Sequence, residues 1–367
     1  MKKLLCVLIV SVLIFPASRR ASALSAKAAV VISGDTGDIL YSLNADVRLP
    51  MASTTKIMTA LILLENCKDL DAEIVTTREM VTVEGSSMGL LTGDRVSYRA
   101  LLYGMMLSSG NDAANTAAIS IGGSIENFVQ KMNDKAKELN LSNTHFVTPS
   151  GLDAEGHYTT AYELALIARE ALKNPEFALA ASAKSATLCY GNPPYRRTVT
   201  NHNRLLAMYD DIVGVKTGFT KKSGRCLVSA AKKDGKYVIA VTLNDGDDWA
   251  DHRDLLDIGL AAIEVREHKL QQSSMSVLVV GGKREYINTN ISAAKFSVPK
   301  GQDVTAVINL PRFLYAPIAE NEIIGSVEYY SLGRSIYKSN IIAEKAECKQ
   351  LSKMSVFIQM FLYMLGS

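Results

Sequence analysis

The sequence predicts a mixed α/β domain, an antiparallel sheet with a helical subdomain, followed by a small all-β, sandwich-like domain. Three observations carry this reading. Short β-rich runs at residues 28–42 and 213–243 flank a stretch of alanine-rich helical patterns. Neighbouring β-rich runs are joined by short connections, which makes them antiparallel neighbours. From about residue 270 no helix of useful length is visible, and short strands alternate with glycine and proline.

The first segment is not fold. Lys2 and Lys3 open it, Leu4 to Phe15 is an apolar run, and Ala21-Ser22-Ala23 is a small-residue cleavage site. Residues 1–23 therefore read as a signal peptide, and the mature protein as exported. The whole chain of 367 residues carries a net charge of +3, and Lys2, Lys3, Arg19 and Arg20 supply more than that. The remainder is near neutral, with no basic run, so nucleic acid is not an expected partner. A composition of 48% hydrophobic and 21% charged residues excludes a largely disordered chain and a multi-span membrane protein.

The elements follow in order. Residues 28–33 and 39–42 read as two strands, with Asp35-Thr36-Gly37-Asp38 as turn chemistry between them. Residues 52–66 read as a helix whose apolar positions run nearly all round, so it is buried on most sides. Residues 97–119, 124–139 and 160–173 read as further helices. Val213–Thr220, Cys226–Ala231 and Tyr237–Leu243 read as strands, the last two joined by Lys233-Asp234-Gly235. Residues 252–265 read as a closing helix, which bounds a domain at 24–265. Val277–Val280, Val304–Leu310, Ile323–Tyr330 and Ile336–Ile342 read as the strands of an all-β domain at 266–343.

Residues 344–367 form a tail in which Lys345, Lys349 and Lys353 precede the apolar run Val356–Leu365. A basic flank before an apolar helix suits a membrane surface, and the run is shorter than the ~20 residues a span needs. Of the cysteines outside the leader, Cys67 and Cys226 lie in apolar runs and read as free and buried; disulfides are permitted but not demanded.

The five histidines show no H-E-x-x-H, and no G-x-S-x-G elbow or phosphate loop is present, so neither metal nor cofactor is expected. Ser53-Thr54-Thr55-Lys56 opens the buried helix. Positions i and i+3 share a helix face, which sets the lysine amine beside the serine hydroxyl. Apolar surroundings disfavour the ammonium and push the lysine toward a useful base, so that Ser53 is a candidate nucleophile. The same string recurs at Ser292, Ser297 and Ser335, off any predicted helix, so alone it is weak. Ser109-Gly110-Asn111 lies at a break in a helical pattern, where glycine would kink the backbone. Lys216-Thr217-Gly218 lies on a predicted strand, where lysine and threonine can hold a carboxylate. Ser42-Leu43-Asn44 and Lys222-Ser223-Gly224 show that these strings also arise by chance.

Together and in this order, the three motifs resemble the penicillin-recognising serine hydrolases. Pro50 to Ala60, Ser109 to Ala114, Gly151-Leu152-Asp153 and Asp211 to Thr220 look like the corresponding segments of the low-molecular-mass D-alanyl-D-alanine carboxypeptidases. The resemblance implies a β-lactamase/transpeptidase-like fold. It also implies a serine-type carboxypeptidase that trims peptidoglycan stem peptides ending in D-Ala-D-Ala at the outer face of the cytoplasmic membrane and is inhibited by β-lactams. It implies Ser53 as nucleophile, Lys56 as base and Ser109 as proton relay. Asn111 would orient the substrate amide, Lys216, Thr217 and Gly218 would line the carboxylate subsite, and the N–H groups of Ser53 and Phe219 would form the oxyanion hole. Arg253 is an extra candidate for the carboxylate, with a plain surface charge as the blander reading. D,D-endopeptidase or transpeptidase activity on the same acyl-enzyme is the alternative. A non-catalytic penicillin-binding module is a more distant one. A β-lactamase would need a deacylating glutamate, and Glu163 and Glu170 fall on a helical pattern instead.

Overall fold

The computed structural model describes residues 24–268, 275–291 and 293–349; the predicted signal peptide and residues 350–367 of the tail lie outside these. The first strands and the last ones of the α/β part join in one five-stranded sheet, ordered Ile39–Leu43, Ala28–Ser33, Lys236–Asp245, Gly224–Lys233, Ile212–Thr220. All its pairs are antiparallel: three are joined by short turns, and Ala28–Ser33 meets Lys236–Asp245 across the length of the domain. The Lys-Thr-Gly strand is thus an edge, with its outer side free to meet a ligand.

Against one face of this sheet lies the helical part. Its centre is the helix Lys56–Asn66, entered through a 3₁₀ turn at Ala52–Thr55, and every residue from Lys56 to Leu63 is buried. The helices Tyr98–Met106, Asn111–Gly122, Ile125–Glu138, Ala161–Ala171 and Pro175–Ser182 surround it. Alanines such as Ala113, Ala117, Ala165 and Ala168 let them approach closely. The helix Asp248–Ala262 covers the opposite face through Leu255, Leu256 and Leu260.

Several elements differ from the sequence reading. The predicted helix 97–119 is two helices, separated at Leu107–Gly110. Cys67 is half-buried rather than buried, because it sits where its helix ends and its thiol meets the Asp69 carbonyl; Cys226 is buried, and all four described cysteines are free. A small sheet, ordered Glu73–Val75, Arg95–Ser97, Ser185–Gly191, Pro194–Thr200, went unpredicted. The closing helix starts at Asp248 and stops at Ala262. Ile263–His268 is a strand paired with Ala294–Pro299, so the chain enters the all-β part at 263 rather than 266.

In the all-β part a six-stranded sheet, ordered Thr305–Asn309, Ile323–Ser331, Arg334–Ala343, Tyr286–Ile291, Ser276–Val280, Phe313–Tyr315, faces that two-stranded ribbon. Phe296 and Val298 pack on Val327, Tyr329 and Ile341 between them. The fold continues past 343: Ala346 bridges to Ile318 and Cys348 to Gly282. The acidic turn predicted in the first hairpin ties the two parts together. Asp35 accepts from the Ser297 N–H at 2.7 Å and its hydroxyl at 2.6 Å, and Asp38 pairs with Arg334 at 3.2 Å.

Candidate active site

The three motifs converge on one cleft of about 760 Å³, lined by Ser53, Ser109, Thr217, Gly218 and Phe219. Ser53 sits on the 3₁₀ turn, and its side chain does not cap the helix. Its hydroxyl instead accepts from Lys56 Nζ at 3.0 Å. That amine also reaches Asn111 Oδ1 at 2.7 Å and the Ser150 carbonyl at 2.7 Å. The lysine is fully buried. Desolvation, and secondly the charge of Lys216, hold its ammonium well below the usual range, with Asp112 pulling the other way. A neutral amine so placed can take the serine proton.

Ser109 adopts a left-handed backbone, φ +58°, and Ala52 beside Ser53 does so too, φ +48°. Such conformations cost a non-glycine residue about 1–3 kcal/mol, and both stand at the cleft. The predicted glycine kink is therefore corrected: Gly110 itself has φ −58°. Gly110 is needed for space, since a Cβ there would lie 2.7 Å from Asp112 Oδ1 and 3.1 Å from the Met88 N.

Lys216 is buried, not solvated, and burial pushes it down to about 7. Its amine reaches the Thr217 carbonyl at 3.1 Å. At Gly218 the edge strand presses on the first helical turn. A Cβ there would come within 3.0 Å of the Met51 carbonyl and the Ser53 N, and 3.1 Å of the Thr54 N. The strand next to Gly218 thus runs alongside the turn's N–H groups, which no helix can satisfy internally. Phe219 is 66% exposed at the rim.

Arg253 does not line the cleft. It pairs with Asp211 at 3.1 Å and with Asp257, and lies over the Tyr209 ring. The arginines that line the cleft are Arg204 and, on the strand beside the motif, Arg225, which sequence reasoning missed. It stands opposite Phe219 in the strand register, pairs with Asp248 and stacks on Trp249 at 5.5 Å. Its signal was available: two residues beyond a tight turn after Lys-Thr-Gly, a strand residue faces back along the motif.

Asp112 was also missed as an individual. Its buried carboxylate accepts from the N–H groups of Met88, Ala113, Gly89 and Leu90 and from the Ser87 hydroxyl, and so fixes the loop that brings Ser86 to the cleft. His157 supports the helix start. Its Nδ1 accepts from the Val147 N–H at 3.0 Å, so Nε2 carries the proton and donates to Thr55 Oγ1 at 2.8 Å. Burial pushes its pKa down to about 4, which keeps it neutral. Glu163 is occupied by Asn143 and Thr144, and Glu170 by Lys173. Among the described residues no glutamate lines the cleft.

Residues 16–247 match the family model for D-alanyl-D-alanine carboxypeptidases, peptidase family S11. The D-alanyl-D-alanine carboxypeptidase DacF of Bacillus subtilis is 33% identical over 94% of each chain. The Streptomyces K15 DD-transpeptidase superposes with a TM-score of 0.63 at 34% identity, over 65% of this chain and 98% of its own. Penicillin binding protein 5 of Haemophilus influenzae superposes with a TM-score of 0.64 at 27% identity, over 89% of this chain and 98% of its own. With a family match over more than half its length and a relative of 33% identity aligned over 94% of it, this chain belongs to the D-alanyl-D-alanine carboxypeptidases of the S11 family of serine peptidases.

Proposed function

We propose that the chain removes the terminal D-alanine from peptidoglycan stem peptides through an acyl-enzyme on Ser53. The observation that carries this assignment of roles is the buried Lys56 amine 3.0 Å from Ser53 Oγ. Neutral Lys56 takes the hydroxyl proton as Ser53 attacks the carbonyl between the two D-alanines. The developing oxyanion is met by the N–H groups of Ser53 and Phe219. The proton passes from Lys56 through Ser109 to the departing amine, and D-alanine leaves. Water then attacks the ester, giving its proton to Lys56 and restoring Ser53. Asn111 orients the peptide amide. Lys216 and Thr217 hold the terminal carboxylate, and Arg225 adds a guanidinium on the same wall.

The competing reading is transfer of the acyl group to an amine, and the likeness to the K15 DD-transpeptidase favours it equally, because both outcomes share the acyl-enzyme. Incubation with a D-Ala-D-Ala pentapeptide decides. Loss of one alanine supports the carboxypeptidase, whereas a joined dimer makes this a transpeptidase. Penicillin should add one adduct to the peptide bearing Ser53 and persist over many peptide turnovers, since no glutamate among the described residues lines the cleft to activate a deacylating water. An adduct on Ser292, Ser297 or Ser335, or rapid β-lactam turnover without D-alanine release, overturns the assignment. The enzyme acts outside the cytoplasm, held at the membrane surface by the tail at 350–367.

A further inference from the structure

We infer that the far edge of the all-β part is a second membrane-contacting surface, an aromatic face that lies against lipid headgroups. The strand register builds it. Leu278 pairs with Tyr286 on one side and Phe313 on the other, and Val280 pairs with Tyr315. Directly paired residues share a sheet face, so these five stand together on one side. The opposite side carries Val279 and Ile287 into the core, so among the described residues this face has no protein layer over it. Its large side chains are open: Tyr315 is 69% exposed, Tyr286 54%, Phe313 46% and Val280 44%. The Phe313 and Tyr315 rings touch edge to face at 5.5 Å. Aromatic residues with an apolar body and a polar tip are the ones that suit the boundary between lipid and water.

A second, independent observation names the occupant. The last described residue, Lys349, donates its N–H to the Gly281 carbonyl at 2.8 Å, one residue beyond Val280. The described chain therefore ends beside this face, and the sequence that follows carries the apolar run Val356–Leu365. In the turn after Gly281 and in the segment that meets it stand Lys283, Arg284, Lys345 and Lys349, with Glu285, Glu344 and Glu347 among them. Glu347 engages Lys283 and Lys345, and Glu344 engages Arg284. Four cations against three acids leave this end of the fold near neutral, so apolar and aromatic contact rather than charge carries the attraction to the lipid surface. A tail and a face that meet the same surface bind jointly, so each raises the effective concentration of the other. Contact at both points also fixes the orientation of the fold on the bilayer, which a single flexible tail would not do.

The inference rests on the membrane reading of the tail, and the test separates the two. The full chain carrying Tyr315→Trp is mixed with anionic vesicles containing brominated lipid, and sedimentation and tryptophan emission are followed. The unsubstituted chain supplies the baseline, since its one tryptophan, Trp249, lines the cleft. The expected result is sedimentation with both proteins and quenching only in Tyr315→Trp. The double variant Phe313→Ser, Tyr315→Ser should bind vesicles about tenfold more weakly. Sedimentation without quenching shows that the tail alone holds the protein and overturns the face. Failure to sediment overturns both readings. Vesicle-independent shielding of the introduced tryptophan that disappears when 350–367 is deleted shows the tail covering the face, and also overturns it.

Discussion

Replacing Asp112 with asparagine acts on the base and on the loop beside it in separable ways. The carboxylate accepts five hydrogen bonds, at 2.6 to 3.0 Å, with no exposure to water. If the asparagine oxygen stays with Met88 and Ala113, its amide group faces the N–H groups of Gly89 and Leu90, donor against donor. The Ser87 hydroxyl can turn and accept from the amide, and it already accepts from the Gly89 N–H at 2.8 Å, so the buried donor that loses its acceptor is the Leu90 N–H. At about 1–3 kcal/mol for one such donor, about 1–3 kcal/mol falls on the loop. Other ties remain, from Asn111 to the Glu84 and Ser86 carbonyls and from Tyr190 to the Met88 carbonyl, so the penalty appears as local opening. Amide exchange at residues 86–91 should accelerate, and kcat/KM should fall about tenfold or more as the cleft wall moves. The second effect has a defined sign. The Asp112 charge favours the Lys56 ammonium, so removing it lowers the Lys56 pKa further. Acylation needs neutral Lys56, and the acid limb of the pH–acylation profile should move to lower pH. An acid limb that stays put or moves up refutes the electrostatic argument, and unchanged exchange at 86–91 refutes the mechanical one.

Three further outcomes are expected. Lys216→Gln removes a cation that depresses Lys56, so the acid limb should move to higher pH, opposite to Asp112→Asn, while KM for the peptide rises; a downward shift contradicts the coupling. Gly218→Ala must push the edge strand a few tenths of an ångström off three backbone atoms of the Ser53 turn, and stopped-flow acylation should slow about ten- to a hundredfold; an unchanged rate would show that the contact does not set the oxyanion geometry. Arg225→Leu should raise KM about tenfold for a peptide with a free terminal carboxylate and leave the corresponding terminal amide unaffected. Equal loss on both would make Arg225 a structural partner of Asp248 alone.

The elements read correctly from sequence are those whose signal is local. The buried helix announces itself by apolar residues all round, and the hairpin at 224–245 by Lys233-Asp234-Gly235, where Asp234 and Gly235 both have positive φ. What escaped depends on distant partners. The polar break at Ser108–Asp112 was visible, but not that it ends one helix and starts another, which the left-handed Ser109 brings about between Met106 and Asn111. Ile263-Glu264-Val265 continues the pattern of the closing helix, and becomes strand because Pro299, Val298 and Ser297 lie opposite. The hairpin Ser185–Thr200 buries little beyond Leu188, Tyr190 and Val199, too sparse an alternation to read.

The site divides along the same line. Four strings in the chain share the Ser-x-x-Lys spacing, and spacing alone cannot choose among them. What distinguishes them chemically is the environment of the lysine. Lys295, Lys300 and Lys338 stand exposed to solvent. Lys56 alone of the four is buried, and it has a second buried lysine, Lys216, acting on it from the edge strand. The buried-helix pattern made the first of these facts legible. The second was not, because Lys216 lies 160 residues away on a strand of its own, and only the folded sheet brings the two amines into one electrostatic field. Two cations packed together cannot both stay fully charged in a desolvated site. Burial is the larger cause of the lowered Lys56 pKa and the charge of Lys216 the second, so the edge-strand lysine adds to what desolvation begins and favours a neutral amine beside Ser53.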